Sequence, residues 1–351
     1  MSLQLNKVPN LFICLAILGG IASGMQQITI ASSLAVNQKQ AITPSLKQKQ
    51  MSNQLFRIVQ NGKYGFMDQT GKIVIKPQFD SAWNFIDGLA QIKIDENYGY
   101  IDQSGKQIVP PKFRLAFSFS NGLALVVDDY KYGYIDTSGK IVIKPQYEEA
   151  LAFKNGLAAV KINDQWGYIN KTGKIVIQPK YQQVLHFNEG LAAVEIDGKW
   201  GYINSNGQIV IQPRFDETIG FSQGLAAVKV ANKYGYIDKS GKLAIQPQFD
   251  QALEFKEGLA VVQIGDKWGY IGSNGRMIIA PKFERTTDFS EGLAAVKIQE
   301  KYGYINSGGK MIIAPQFDLG LSFKDGLALV YTGGKAGYIN KQGQFIWKQA
   351  N

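Results

Sequence analysis

The chain has 351 residues, 45% hydrophobic and 12% aromatic, which supplies apolar material for one large or two modest cores and excludes a disordered or fibrous protein. Its 38 Lys and Arg against 28 Asp and Glu give +10, but lysines and acids interleave along almost the whole length. That spread excess suits a solvated surface and argues against a nucleic-acid groove, which concentrates its charge on one stripe.

Lys7 precedes an apolar run at 11–25, and Ala31, Ser33 and Ala35 offer small residues of the kind found at cleavage sites, so residues 1–35 read as an export signal peptide. An uncleaved anchor is the alternative. The run is shorter than the roughly 20 residues that span a bilayer, and Gly19, Gly20 and Gly24 weaken it as a helix. Cys14, the one cysteine, lies inside this run, so no disulfide or thiol chemistry is expected after cleavage, and no membrane span remains. Residues 36–54 are rich in Gln and Lys and read as a flexible linker.

From residue 55 onward three markers keep one 34-residue spacing. A glycine follows an aromatic at Gly65, Gly99, Gly133 and so on to Gly337; a proline recurs from Pro77 to Pro315; a glycine opens each GLA segment from Gly88 to Gly326. Helical arrays also use this period, but several glycines and a proline between β-branched runs would break their helices. Three short strands fit: in the repeat around Trp166, LAAVKI, WGYI and KIVIQ, joined by NDQ and NKTG.

In NKTG the Asn170 side chain accepts the turn's own amides and Gly173 takes a positive φ, as DQTG, DTSG and NSNG would elsewhere. A calcium shell is the competing reading, opposed by Gly272 and several Asn at the carboxylate position. Cutting before the GLA strand gives nine complete units between Leu55 and Trp347. The expected fold is all-β, a tandem array of nine three-stranded antiparallel meanders over residues 55–351. Because the chain starts and stops at unit boundaries, an open solenoid-like array is favoured, and a closed propeller-like ring is the alternative. Ile175 and Ile177 face opposite to Val176, so both sheet faces are expected to be covered, with Tyr181 and Phe187 as plugs between sheets.

Chemistry has few candidates. The single histidine, His186, stands where other units hold Ala152, Gly220, Glu254 and Asp288, a row that reads as surface. No metal, cofactor or nucleophile motif is present, so no catalytic, cofactor-binding or metal residue is assigned. A carboxylate pair drawn from Asp128, Asp129, Asp164, Glu189, Glu195, Asp197, Asp216 and Glu217 is the route left for a glycan hydrolase. The ring before each repeat glycine reads as packing, with glycine admitting the next sheet. Two residues later the choice is almost uniformly Tyr, which points to a hydroxyl bond made the same way each time. That bond is either internal or part of a ladder along a groove, so Tyr168, Tyr202, Tyr236, Tyr270 and Tyr304 are the candidate ligand contacts.

The series aromatic-Gly-Tyr-Ile-Asp/Asn, turn, Gly-Lys-Ile-Val-Ile-x-Pro-x-Phe/Tyr, Phe-x-x-Gly-Leu-Ala resembles the bacterial WG-repeat or KWG-repeat family, with KWG itself at Lys199-Trp200-Gly201 and Lys267-Trp268-Gly269. The resemblance covers nearly everything after residue 54. It implies no activity, because such arrays occur in proteins that share none. Ala336, which replaces the aromatic in the last unit, is expected to mark a capping unit without a further neighbour. The expected role is an exported scaffold at the periplasm or cell surface for an unknown protein or a cell-envelope polymer. Saccharide or wall-glycan binding comes second and hydrolysis a distant third.

Overall fold

A computed structural model describes residues 54–350. The leader and all of the linker except Gln54 lie outside the described residues. Each sequence unit folds as one antiparallel sheet. Around Trp166 the first strand, Leu157–Ile162, pairs with Gln165–Asn170, and that strand pairs with Ile175–Tyr181. The first hairpin is as tight as a hairpin can be, with Asn163 and Asp164 both at positive φ (49° and 60°) between paired Ile162 and Gln165. The second follows the Asx reading. Gly173, at φ 84°, donates its amide to the Asn170 carbonyl, and Asn170 Oδ1 accepts the amides of Thr172 and Lys174, both at 3.0 Å. Asp68, Asp102, Asp136 and Asp238 use Oδ1 in the same way. The described residues hold no cluster of His, Cys, Asp and Glu fit for a metal ion.

The repeat glycine has a different cause from the one expected. A Cβ on Gly167 would stand 2.5 Å from the Ile177 carbonyl oxygen and 2.7 Å from the Pro179 nitrogen. These belong to the third strand of the same sheet, not to the next sheet. There the pairing slips from Trp166↔Tyr181 to Tyr168↔Ile177, and the bulge at the proline pushes backbone into the space of a side chain.

The linker adds a fourth strand. A two-residue strand such as Gln183–Val184 pairs with the strand after it, so blades 2 to 9 have four strands in chain order while blade 1, Phe56–Phe79, has three among the described residues. Nine sheets follow one another, and the ninth meets the first. Phe56, Ile58 and Met67 of blade 1 share a buried cluster with Leu327, Ala336, Tyr338 and Trp347 of blade 9. Gln69 donates to the Asp325 carbonyl at 2.9 Å, the contact that Lys171 makes to Asn121 between ordinary neighbours. The arrangement is therefore a closed nine-bladed β-propeller, the alternative in the sequence reading. Among the described residues no strand is exchanged between the chain ends, and the closure uses side chains, which the unit frame alone does not reveal. Ala336, read as a cap with no neighbour, is 5% exposed inside this closing interface, in one cluster with Phe56 of blade 1.

Candidate interaction surface

The five candidate tyrosines lie between blades. Tyr168 is 1% exposed and Tyr202, Tyr236, Tyr270 and Tyr304 are 0% exposed. Each ring meets the linker Phe of the next unit: Tyr168 and Phe187 stand edge to face with centroids 4.8 Å apart. Each hydroxyl donates to the next linker, Tyr168 to the Leu185 carbonyl at 2.7 Å, and Tyr202, Tyr236, Tyr270 and Tyr304 to the carbonyls of Ile219, Leu253, Thr287 and Leu321. Burial pushes the pKa of all five phenols up, so they stay neutral donors. The uniform Tyr thus reports an internal bond. The ladder fastens blade to blade and presents no ring face to a groove. Tyr181 and Phe187 are buried in the same interface, as plugs.

At the closure the same tyrosine finds a different partner. Tyr338 donates to the Arg57 carbonyl at 2.9 Å. In a regular interface that carbonyl position, for example Leu125, accepts the linker amide of Phe117, and the tyrosine bonds the linker carbonyl.

A second set of interblade contacts escaped the sequence reading. The residue before each GLA glycine is Asp, Asn, Glu or Gln in every unit, always at positive φ between 50° and 55°. In most blades its side chain accepts the glycine amide of the following blade: Gly122 to Asp87, Gly224 to Glu189 and Gly258 to Gln223, each at 3.0 Å. These bonds join positions 35 residues apart, one blade plus one residue. Equivalent positions come closest at the axis of a closed ring, so these loops surround the axis. The signal was present as a position confined to four residue types with one shared acceptor chemistry.

His186 sits in this inner loop and is partly buried, not a surface residue. Desolvation, with the Lys154 ammonium nearby, pushes its imidazole down to about 4. Four of the eight carboxylates considered for hydrolysis are engaged by cations: Asp164 with Lys161, Asp216 with Lys199, Glu217 with Lys229 and also Tyr234, and Glu189 with Lys239. The bonds from Lys199 and Lys229 hold Asp216 and Glu217 below the usual carboxylate range, so neither is kept protonated as a general acid would be.

The surface with a distinct character is the far edge of each sheet. The third strand is opposite the short strand in every four-stranded blade, which puts it on the rim. Its buried residues alternate with exposed ones: Ile177 is 4% exposed and Val176 43%. The expectation that both faces would be covered fails here: the Ile177 face is packed, and the Val176 face of this strand lies open. The Val176 position is Val or Ile in eight of nine units, with Ala244 the exception.

Charge is sorted the same way. Removing the four lysines of residues 1–53 leaves +6 for residues 54–350. Segments 72–79, 106–113, 140–147, 174–181, 208–215, 242–249, 276–283, 310–317 and 344–350 together carry 14 Lys and Arg and no Asp or Glu, so everything else sums to −8. All 14 are exposed, and among the described residues none forms a salt bridge. Most lysines elsewhere are paired, with Lys131, Lys154, Lys171 and Lys324 forming no salt bridge among the described residues: Lys63, Lys199, Lys233 and Lys301 each meet the Asp that opens the next unit, Asp80, Asp216, Asp250 and Asp318.

The WG containing repeat matches this chain in eight consecutive copies, at residues 64–98, 98–132, 132–166, 166–200, 200–234, 234–268, 268–302 and 302–335. No curated protein matches it. Among solved structures, one titled as the eukaryotic initiation factor superposes with TM-score 0.61 at 11% identity, covering 85% of this chain and 96% of that one, which is likeness of fold alone. BamB from Moraxella catarrhalis gives 0.45 at 11% identity, covering 76% and 95%, and the dihydro-heme d1 dehydrogenase NirN gives 0.46 at 12%, covering 73% and 71%. With eight repeats tiled across most of its length, the chain belongs to the WG-repeat family.

Proposed function

We propose that the protein is a non-catalytic interaction scaffold of the cell envelope whose binding surface is the rim of third strands. The observation that carries this reading is the coincidence, on one edge of nearly every blade, of cations without an acidic partner and an outward-facing β-branched residue. Lysine and proline alone would suffice to blunt an edge strand against pairing. An aliphatic kept on the same exposed face does the opposite, and fits a contact surface. Export is supported by the apolar run at 11–25 and by the absence of cysteine after Cys14. The second reading, a tyrosine ladder gripping saccharide, has no geometric support, since its rings are buried.

The test compares full-length protein with two variants of equal net charge. One carries Lys140→Gln, Lys144→Gln, Lys174→Gln and Lys180→Gln on the rim, the other Lys63→Gln, Lys199→Gln, Lys233→Gln and Lys301→Gln off it. Envelope components retained by the wild type and the second variant but lost by the first support the rim; equal retention by both variants removes it.

A further inference from the structure

From the rim's composition we infer the class of partner: a flexible linear phosphodiester polymer without rings, of the poly(glycerol phosphate) kind, lying along the circumference. The inference rests on the reading of the rim as the binding surface. Three features select this partner.

The cations are distributed, not clustered. Every blade contributes one or two, from Lys72 and Lys76 in blade 1 to Lys348 in blade 9. A planar anionic membrane touches a disc's rim over a few blades and gains only from the charges of that sector. A flexible chain that follows the edge meets them in succession, and each neutralised phosphate releases counterions.

The side chains are mostly point charges. Twelve of the 14 are lysine and two, Arg214 and Arg276, are arginine. Lysine acts as a point charge and suits a row of anions in no fixed orientation, such as the phosphates of a flexible chain, whereas the bidentate fork of arginine suits carboxylates or phosphates held in a fixed plane.

The exposed rows lack rings. In blades 1 to 8 the positions equivalent to Lys174, Val176, Gln178 and Lys180 hold Lys, Arg, Gln, Val, Ile, Ala or Pro and no aromatic. Single-stranded nucleic acid is gripped by stacking on aromatic faces, so the rim offers bases no platform. Val and Ile do accommodate the methylene carbons of a polyol backbone. The nearest acids, such as Asp68 and Asp136, bond amides and hydroxyls of their own turns and interact with Lys72 and Lys140 only through space, without a salt bridge.

The experiment measures binding of full-length protein to lipid-free poly(glycerol phosphate) across a salt series, with single-stranded DNA, a polyuronate and anionic phospholipid vesicles as parallel arms. The expected result is tightest binding to poly(glycerol phosphate). The slope of log K against log salt should fall by about 3 in the four-lysine rim variant, by analogy with single-stranded phosphodiesters. It should stay unchanged in the off-rim variant. Tighter rim-dependent binding in another arm overturns the polymer assignment while leaving the rim as the binding surface. Equal losses in the two variants, or no binding in any arm at low salt, overturn the rim itself and the polymer with it.

Discussion

The repeat glycine offers the most exacting check on the blade geometry, because one motif position meets two different walls. At Gly167 the added methyl group of alanine would meet backbone: Ile177 O at 2.5 Å, Pro179 N at 2.7 Å and Pro179 Cα at 2.9 Å. Normal carbon contacts lie near roughly 3.5 Å, so the two strands must separate by roughly 0.7–1 Å or the bulge must be lost. Overpacking of this kind costs about 1–3 kcal/mol, and disturbing the adjoining ladder bonds brings the expected loss for Gly167→Ala to about 2–4 kcal/mol. At Gly337 the nearest atoms are Phe345 Cε1 and Cδ1, at 2.6 and 2.9 Å, and the backbone is 3.2 Å away at Trp347 O. A ring at the last strand can turn aside, so Gly337→Ala should cost about 1 kcal/mol or less. Urea unfolding followed by circular dichroism, on full-length protein, reads both losses. Equal losses at the two sites would refute the argument that backbone approach, not the motif as such, demands glycine.

Other consequences follow from the same contacts. Tyr168→Phe removes the donor to the Leu185 carbonyl while keeping the ring on Phe187, and should cost about 1–2 kcal/mol in urea unfolding; Phe66 occupies this position naturally in blade 1, so the fold should persist. His186 is held neutral: its folded value near 4 lies below the ordinary 6.5, so its contribution is complete above about pH 6.5 and is lost as pH falls toward 4. After discounting for its partial exposure, the loss should be about 1–3 kcal/mol, and His186→Gln should flatten that part of the stability-against-pH curve. Spin labels on either side of the closure, at Thr70 and Lys324 beside the Gln69–Asp325 bond, should give one short, narrow distance distribution; a broad, long distribution would indicate an open array.

Much of this was legible in the sequence because the repeat constrains it many times over. The 34-residue period, the count of nine sheets and the Asx turn at Asn170 all stand, since hairpin chemistry is local and each unit repeats the same test. The buried tyrosine was half legible: uniform Tyr signalled one bond made repeatedly, but only the fold shows that its acceptor is the next linker. Closure was hidden because it rests on side-chain bonds to partners 256 and 281 positions away, Gln69 repeating an ordinary interblade contact and Tyr338 turning to a strand carbonyl of blade 1. Charge sorting was hidden for a related reason. Lys174 and Lys180 share a stretch of sequence with Asp164 and Glu189, yet in a blade the lysines lie at the outer edge strand while Asp164 sits in the hairpin of the central strands and Glu189 in the inner loop, so an interleaved sequence becomes a segregated surface.

The central claim, that the net positive charge of the folded domain sits on the rim and sets what it binds, is tested most directly by cation-exchange chromatography of the two equal-charge variants. The off-rim substitutions remove lysines that already have aspartate partners, whereas the rim substitutions remove lysines without acidic partners from adjacent blades. The account predicts that the rim variant elutes at clearly lower salt than the off-rim variant despite identical composition of charge. Coelution of the two would contradict it.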